Sequence, residues 1–233
     1  MLRELELAEV AALYAPATTA TRVVEAPSST ASVVEAPSSA DSDVASLSWS
    51  QLREVVRDCR ACGLCKARKQ AVFGVGAERG PWLFVGEGPG ADEDEQGEPF
   101  VGQAGKLLDG MLTAAGLARG RDVYIANVVK CRPPGNRTPA PDEAAACAAF
   151  LDRQIDLIAP KVIVALGKTA ATRLLGAEPG SLGAMRGKVH RYRGTPLVVT
   201  YHPAYLLRTL VDKAKAWEDL LFAKRVLATP ESP

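Results

Sequence analysis

Four short apolar runs, rich in β-branched residues and bounded by turn residues, constrain the fold of this chain most strongly. The runs occupy residues 82–88, 123–131, 162–167 and 197–203. Each run is apolar on both faces, which is typical of strands buried within a parallel sheet. Helical patterns lie between them, over residues 104–117 and 141–158. The alternation predicts an α/β fold, a three-layer α/β/α sandwich with a short, mainly parallel central sheet.

The first 47 residues differ in composition from the rest of the chain. Residues 15–46 are rich in Ala, Ser, Thr and Pro, and the segment VVEAPSS occurs twice, at 23–29 and 33–39. Such a segment cannot bury a core, so we predict that it is disordered. The region also holds two arginines against seven acidic residues. The sequence therefore predicts an acidic tail over residues 1–47 and one folded, mildly basic domain over residues 48–229.

The N-terminal segment does not predict export or membrane insertion. MLRELELAEVAALYA carries acidic residues throughout and lacks a basic region followed by an apolar block. No apolar run approaches the roughly 18 residues that a membrane-spanning helix needs. We therefore expect a cytoplasmic protein without a membrane partner, whose thiols stay reduced. The odd number of cysteines, 5, also argues against a complete disulfide framework.

The segment CRACGLC (59–65) places three cysteines within one short stretch. Its spacing matches the opening of a bacterial ferredoxin motif, but the expected fourth position is Lys69. A fourth ligand must then come from Cys131 or Cys147, and zinc is an alternative to an iron–sulfur cluster. Cys147 also lies on the apolar face of a predicted helix, where a cysteine is usually a core residue. The spacing predicts a metal centre without deciding which four cysteines hold it.

Glycines and polar residues collect where the predicted strands end. GEGPG (86–90) follows the first strand, Asn127 lies in the second, and YHPAYLL (201–207) follows the last. Because the site of a parallel sheet lies beyond the carboxyl ends of its strands, these segments predict a functional crevice. GEGPG matches neither the dinucleotide-binding pattern nor the P-loop, which argues against a nucleotide cofactor. Basic residues flank the loops and would bind phosphates around one rim. They include Lys66, Lys130, Arg132, Arg137 and Arg208.

Six segments, some of which contain the motifs above, follow one another in order along the chain. They are CRAC, VFGVG, FVGEGPGADEDEQGEPFVGQAGKLLD, VYIANVVKCRPPGNRTPAPDE, PKVIVALG and TYHPAYLLR. Together they resemble the family 4 uracil-DNA glycosylases, the iron–sulfur-containing branch of the uracil-DNA glycosylase superfamily. The resemblance runs from about Leu52 to Leu227 and leaves out the tail. It implies a uracil-DNA glycosylase-like catalytic domain that flips uracil out of DNA and hydrolyses its N-glycosidic bond, leaving an abasic site for base excision repair.

The resemblance also implies a cofactor. The four cluster ligands of the family match Cys59, Cys62, Cys131 and Cys147, which would hold a [4Fe–4S] cluster. Cys65 falls where the family pattern has no ligand, so we expect it to be the spare cysteine. The cluster would tie the N-terminal helix and the loop after Asn127 to the body of the domain, a role that does not require electron transfer.

Several pocket residues carry over from the family in the same way. Phe100 resembles the aromatic residue that stacks on the flipped uracil, and Asn127 the amide that reads its edge. An amide can pair with O4 and N3–H of uracil, whereas cytosine presents a reversed donor and acceptor. His202 resembles the motif histidine that stabilises negative charge on the leaving base. We expect Leu206 to be the wedge that fills the vacated space, with Leu207 as the alternative.

The loop after the first strand departs from the classical uracil glycosylases. Those enzymes place a water-positioning aspartate and a thymine-excluding tyrosine where this chain has Gly88 and Gly90. Together with Gly86, these glycines are expected to contact the substrate through the backbone. Glu87 and Glu93 match acidic positions of family 4 and are candidates to orient the water or the loop. The sequence does not assign the residue that activates the water.

The expected partner is uracil-containing DNA, bound by a monomer. A second partner is a hypothesis: the tail over residues 1–47 would tether a repair or replication protein. Two other functions stay open at this stage. One is a non-catalytic iron–sulfur or zinc module that binds DNA without releasing a base, and the other is an electron-transfer protein without affinity for DNA.

Overall fold

A computed structural model of the chain describes residues 44–176 and 180–229. The strands are β1 (Val75–Gly76), β2 (Trp82–Gly86), β3 (Val123–Asn127), β4 (Val162–Leu166), β5 (His190–Tyr192) and β6 (Thr195–Thr200). The helices are α1 (Trp49–Asp58), α2 (Ala91–Gln96), α3 (Gln103–Ala114), α4 (Pro141–Ala146), α5 (Ala148–Ile158), α6 (Lys168–Leu175), α7 (Leu182–Met185), α8 (Pro203–Leu206) and α9 (Lys213–Ala228). Short 3₁₀ helices cover Gly63–Lys66, Pro134–Asn136 and Leu210–Asp212.

The strands form one sheet in the order β1-β3-β2-β4-β6-β5. The four inner strands are parallel, and the short edge strands β1 and β5 pair antiparallel with β3 and β6. Each of the four apolar runs forms one of the inner strands, and every residue of β2, β3 and β4 is buried. The predicted short, mainly parallel sheet is therefore confirmed.

Successive residues of the inner strands face two separate cores. In β2, Leu83 and Val85 pack into one core, whereas Trp82 and Phe84 pack into the other. The first core also contains buried residues of α1, α5 and α6, and the second contains those of α3 and α9. Helices thus cover both faces of the sheet, which confirms the predicted α/β/α sandwich.

The first described residues pack on the folded domain. Val44 and Leu47 pack against the core, and Arg153 Nε donates to the Leu47 carbonyl oxygen at 2.7 Å. The VVEAPSS repeats and most of the predicted tail lie outside the described residues, so the division at residue 47 stays a prediction. In the part of the chain described here, no helix combines the length and apolarity needed to cross a membrane.

The helical pattern predicted over 141–158 is two helices in the structure. Cys147 lies between the last residue of α4 and the first residue of α5. Its backbone N–H donates to the Ala144 carbonyl oxygen in a tight turn. The break leaves Cys147 at the junction of α4 and α5, beside the end of β3. Sequence periodicity misses this break because the apolar residues stay in register across it.

The inner strands end at one edge of the sheet and create a crevice there. The chain adds β3 on one side of β2 and β4 on the other. The connection after β2 runs to β3 on one side, whereas the connection after β4 runs towards β5 and β6 on the other side. The loops therefore separate between β2 and β4, which is where open α/β sheets bind their ligands.

Candidate active site

A cavity of about 1150 Å³ opens at the carboxyl edge of the sheet, among the loops that follow β2, β3, β4 and β6. The predicted convergence of these strand ends therefore exists in the structure. The lining includes most of the predicted site residues, namely Glu87, Gly88, Gly90, Glu93, Phe100, Asn127 and His202. Lys168, Thr169, Tyr205 and Arg208 also line it.

Asn127 ends β3 and is almost fully buried, at 2 % exposure. Its side-chain oxygen Oδ1 has no hydrogen-bond partner among the described residues. Buried polar atoms are nearly always paired, so an unpaired amide oxygen in a cavity is a site for a ligand donor. Gly86 stands opposite Asn127 in the sheet. A Cβ on Gly86 would lie 2.5 Å from Asn127 Oδ1 and 2.5 Å from Phe100 Cζ.

Phe100 occupies an uncommon backbone conformation, with φ of 57°. Its side chain is buried, and its ring centroid lies 5.4 Å from that of His202 at an interplanar angle of 31°. A bulky residue adopts positive φ only where the surrounding structure imposes it, and such strain concentrates at functional sites. Phe100, Asn127 and His202 thus surround one space above Gly86.

His202 is the N-cap residue of α8. Its Nδ1 accepts the backbone N–H of Ala204 at 3.1 Å, which leaves the ring proton on Nε2. Burial and, to a lesser extent, the positive charge of Arg208 lower the pKa of His202 from its ordinary 6.5 to about 4, against an opposing effect of Glu93. The imidazole is therefore a neutral ring with one N–H to donate.

The two acidic candidates have different surroundings. Glu93 accepts three backbone N–H groups, from Gly90 at 3.0 Å, Val101 at 2.9 Å and Gly102 at 3.0 Å. Its carboxylate fastens the glycine loop to the segment that carries Phe100. Glu87 accepts a hydrogen bond from the hydroxyl of Thr169. Both residues line the cavity, but Glu93 accepts hydrogen bonds from the backbone, whereas Glu87 accepts one from a side chain.

The structure does not fit the expectation that Leu206 is the wedge. Leu206 is the last residue of α8 and is fully buried, so its side chain does not reach the surface in this structure. Leu207 follows it in the sequence and is 42 % exposed. The short α8 points neighbouring leucines in different directions, and it is the alternative, Leu207, that faces outward.

Only part of the expected basic rim is free at the surface. Lys130 is buried, and Arg137 makes two hydrogen bonds to Glu143, at 2.7 and 2.8 Å. Lys168 and Arg208 are exposed at the cavity. Arg137 is also exposed at the cavity although it is paired with Glu143, so it remains near any ligand together with Lys168 and Arg208.

The amino-acid sequence is similar to those of proteins named as uracil-DNA glycosylases. The model of the uracil-DNA glycosylase superfamily matches residues 73–221. A type-4 uracil-DNA glycosylase of Thermotoga maritima is 49% identical over 174 residues, which cover 73% of this chain and 90% of that protein. A type-4 enzyme of Sulfurisphaera tokodaii is 42% identical over 192 residues, 79% of this chain and 87% of that protein. The chain belongs to the uracil-DNA glycosylase superfamily.

Within the superfamily, the type-4 branch is the one to which the chain belongs. A type-5 uracil-DNA glycosylase of Pyrobaculum aerophilum is 35% identical over only 89 residues, 37% of this chain and 38% of that protein. A type-4 relative from the same organism is 44% identical over 177 residues, 73% of this chain and 90% of that protein. The recognition of family 4 from the sequence segments is therefore confirmed.

Four cysteines of this superfamily member, referred to as the cysteine centre, pack on the first core. Cys131 and Cys147 are buried, and Cys59 and Cys62 pack against the same core. All the cysteines are free of disulfides. Burial raises the pKa of Cys131, and the hydrogen bond and positive charge of Arg68 oppose that rise. Burial likewise raises the pKa of Cys147 to about 11.

Hydrogen-bond donors surround the sulfur atoms. Arg68 Nη1 donates to Cys131 Sγ at 2.8 Å, and the backbone N–H of Lys130 donates to Cys147 Sγ at 3.3 Å. Within residues 44–176 and 180–229, no group of three or more His, Cys, Asp or Glu side chains is arranged to hold a metal ion. The thiols are therefore neighbours that do not converge on one ion position.

Lys130 connects the two centres, a role that sequence reasoning missed. Its Nζ donates to the main-chain oxygen of Asn127 at 2.9 Å and to Gln154 Oε1 at 2.6 Å. Burial lowers the pKa of Lys130 to about 8, and the negative charge of Cys147 opposes that change. A lysine in the motif KCRPPGNR reads as a surface residue, and nothing in its spacing marks it as buried.

Proposed function

We propose that this protein is a uracil-DNA glycosylase that hydrolyses the N-glycosidic bond of uracil in DNA and leaves an abasic site in base excision repair. The observation that carries the proposal is the unpartnered Oδ1 of Asn127, buried in a cavity beside Phe100 and His202. The type-4 relatives bear the name of this activity.

Recognition would require the uracil to leave the DNA stack, because the cavity lies within the protein. The flipped base would stack on Phe100 and place its N3–H against Asn127 Oδ1. The amide N–H of Asn127 would then donate to uracil O4. Cytosine presents an acceptor at N3 and a donor at the neighbouring position, so it would leave buried groups mismatched.

Bond cleavage would depend on stabilising the base as it departs with the bonding electrons. The neutral His202 has an Nε2–H to donate, and we propose that it donates to uracil O2, where negative charge develops. Glu87 is proposed to orient the attacking water, since its carboxylate lines the cavity and also contacts Thr169. Glu93 is proposed to hold the loop rather than to contact the water.

The DNA strand would lie along the cavity mouth. Lys168 and Arg208 are exposed there and would contact phosphates. Leu207, also exposed, would fill the space left by the flipped nucleotide. We propose that the protein acts on uracil-containing DNA as a monomer, in the cytoplasm. A repair or replication partner bound through the tail stays a prediction.

The cysteine centre is proposed to hold a [4Fe–4S] cluster on Cys59, Cys62, Cys131 and Cys147. Four free thiols packed on one core and supplied with N–H donors suit such a cluster. Each cysteine would bind its own iron, so the four sulfurs need not converge on one point as they would around one zinc ion. When bound, the cluster would cross-link the end of α1, the loop after β3 and the junction of α4 and α5.

A cleavage assay tests the proposal. The purified protein is incubated with a labelled oligonucleotide that contains one uracil, and alkali then breaks the strand at any abasic site. Matched oligonucleotides carry thymine or cytosine at the same position. Breakage only at uracil is expected. Intact DNA that is nevertheless bound would replace the glycosylase with a non-catalytic DNA-binding module.

A further inference from the structure

The segment that carries Phe100 is held in its strained conformation from two sides. On the N–H side, Glu93 Oε1 accepts from Val101 and Gly102 at 2.9 and 3.0 Å. On the carbonyl side, Arg119 donates from Nη1 to Pro99 O and from Nη2 to Phe100 O, both at 2.8 Å. The peptide group between Phe100 and Val101 is therefore fixed at its oxygen by a guanidinium and at its N–H by a carboxylate.

Arg119 is itself held in place. Its Nε donates to Asp109 Oδ1 of α3 at 2.8 Å, and its side chain is only 22% exposed. The planar guanidinium thereby uses three N–H groups on three different oxygens. Gly105, in the first turns of α3, lets the helix approach: a Cβ there would lie 1.8 Å from Phe100 O. Helix α3 and Arg119 together define where the Phe100 carbonyl stands.

We propose that Arg119 is a positioning residue for base binding: it sets the orientation of the Phe100 ring on which the uracil stacks. This inference rests on the proposed function. Positive φ at a phenylalanine is unfavourable without external support, so the segment would relax when the two carbonyl contacts are lost. The ring would then no longer be organised before the base enters.

The expected kinetic effect of losing Arg119 depends on the stages of the reaction at which the Phe100 ring contacts the base. A ring stacked on the base contacts it both before and during bond cleavage, so its loss weakens binding more than it slows the chemical step. Arg119→Met is therefore expected to raise KM and the inhibition constant of free uracil by about tenfold, and to change kcat by no more than about twofold. Arg119→Lys, which can reach one carbonyl, should recover part of the loss.

The matched control is Arg121→Met. Arg121 lies two residues away, is 67% exposed, and bonds to Asp122 and the Gly116 carbonyl oxygen rather than to the Phe100 segment. It is expected to leave KM and uracil inhibition unchanged. A double-mutant cycle with Phe100→Ala separates positioning from general destabilisation, because Arg119→Met should add almost nothing once the ring is absent.

Two results would overturn the inference. One is an unchanged uracil inhibition constant in folded Arg119→Met protein, or in Arg119→Lys if the methionine variant does not fold. The other is an Arg119→Met substitution that raises the uracil inhibition constant by the same factor in the wild-type and Phe100→Ala backgrounds. Binding of free uracil, measured by calorimetry, keeps this test separate from the enzymatic proposal. A wild type that binds uracil but releases none from DNA would refute the activity and leave the role of Arg119 testable.

Discussion

Gly86 and Asn127 face each other at the ends of β2 and β3, and the absent side chain of the first makes room for the amide of the second. A Cβ at Gly86 would lie 2.5 Å from Asn127 Oδ1 and equally close to Phe100 Cζ. Real Cβ atoms do not approach so closely, so any side chain at Gly86 must displace the amide, the ring, or both. A glycine is therefore required here for steric reasons.

Gly86→Ala is expected to lower the single-turnover rate of uracil release by about 100-fold, because a displacement of about 1 Å in a catalytic site costs that much. Gly110→Ala provides the control, since nothing lies within 4 Å of a Cβ at this position of α3. It should keep the wild-type rate and stabilise the protein by roughly 0.5–1 kcal/mol. A wild-type rate in Gly86→Ala would show that the amide and ring need not stand where the structure has them.

Leu206 and Leu207 are expected to separate stability from DNA binding. Leu206→Ala leaves a cavity under α8 and should cost about 2–5 kcal/mol of unfolding free energy. Leu207→Ala should change stability by less than about 0.5 kcal/mol, as exposed sites usually do. It should instead raise KM for duplex substrate by about tenfold, because the variant loses the apolar side chain that would fill the space left by the flipped nucleotide. Thermal unfolding and steady-state kinetics measure both, and the reverse assignment would restore Leu206 as the wedge.

His202 predicts a pH dependence of stability. Its pKa is lowered in the folded state to about 4, from 6.5, so the unfolded chain binds a proton first as the pH falls. The contribution of His202 to stability should therefore decline between about pH 6.5 and pH 4 and stay constant above that range. His202→Asn keeps an N-cap for α8 and removes the titration. The difference in unfolding temperature between wild type and variant should shift in favour of the variant on acidification. A difference that does not vary with pH would contradict a buried neutral ring.

The cysteines offer a matched pair within one motif. Cys62→Ser is expected to remove the visible absorbance of the cluster and to lower the unfolding temperature, whereas Cys65→Ser should keep both. Iron analysis should give about four iron atoms per chain for wild type and Cys65→Ser. Loss of iron from Cys65→Ser alone would reassign the ligands. Colourless protein with one zinc ion would replace the cluster with a mononuclear site.

The inner strands of the sheet could be predicted because the local sequence of each one is enough to identify it as a buried strand. Residues Trp82–Gly86 are all buried, and a short β-branched run with no polar face has few other places to go. The position of the site followed from the same topology, since parallel strands end at one edge. Asn127 and His202 lie at that edge as expected, and the helices on both faces completed the sandwich.

The contacts between distant segments could not be predicted in this way. Arg119 reaches carbonyl oxygens 19 and 20 residues earlier in the chain, and backbone acceptors leave no mark in a sequence. Whether Leu206 or Leu207 faces outward depends on the phase of a helix only four residues long. Lys130 lies three residues after the end of β3, and its contacts with Cys147 and Gln154, which are distant in sequence, accompany its burial.

The single-turnover rate of uracil release by Asn127→Ala tests the central claim most directly. The claim is that a buried amide with an unpaired Oδ1 reads the base. Truncation removes both hydrogen bonds to uracil, so the rate should fall by at least about 100-fold relative to wild type. Unfolding temperature and visible absorbance should match those of wild type, showing that the fold and the cysteine centre are intact. A rate within about threefold of wild type would mean that Asn127 does not read uracil, and the pocket would have to be assigned elsewhere.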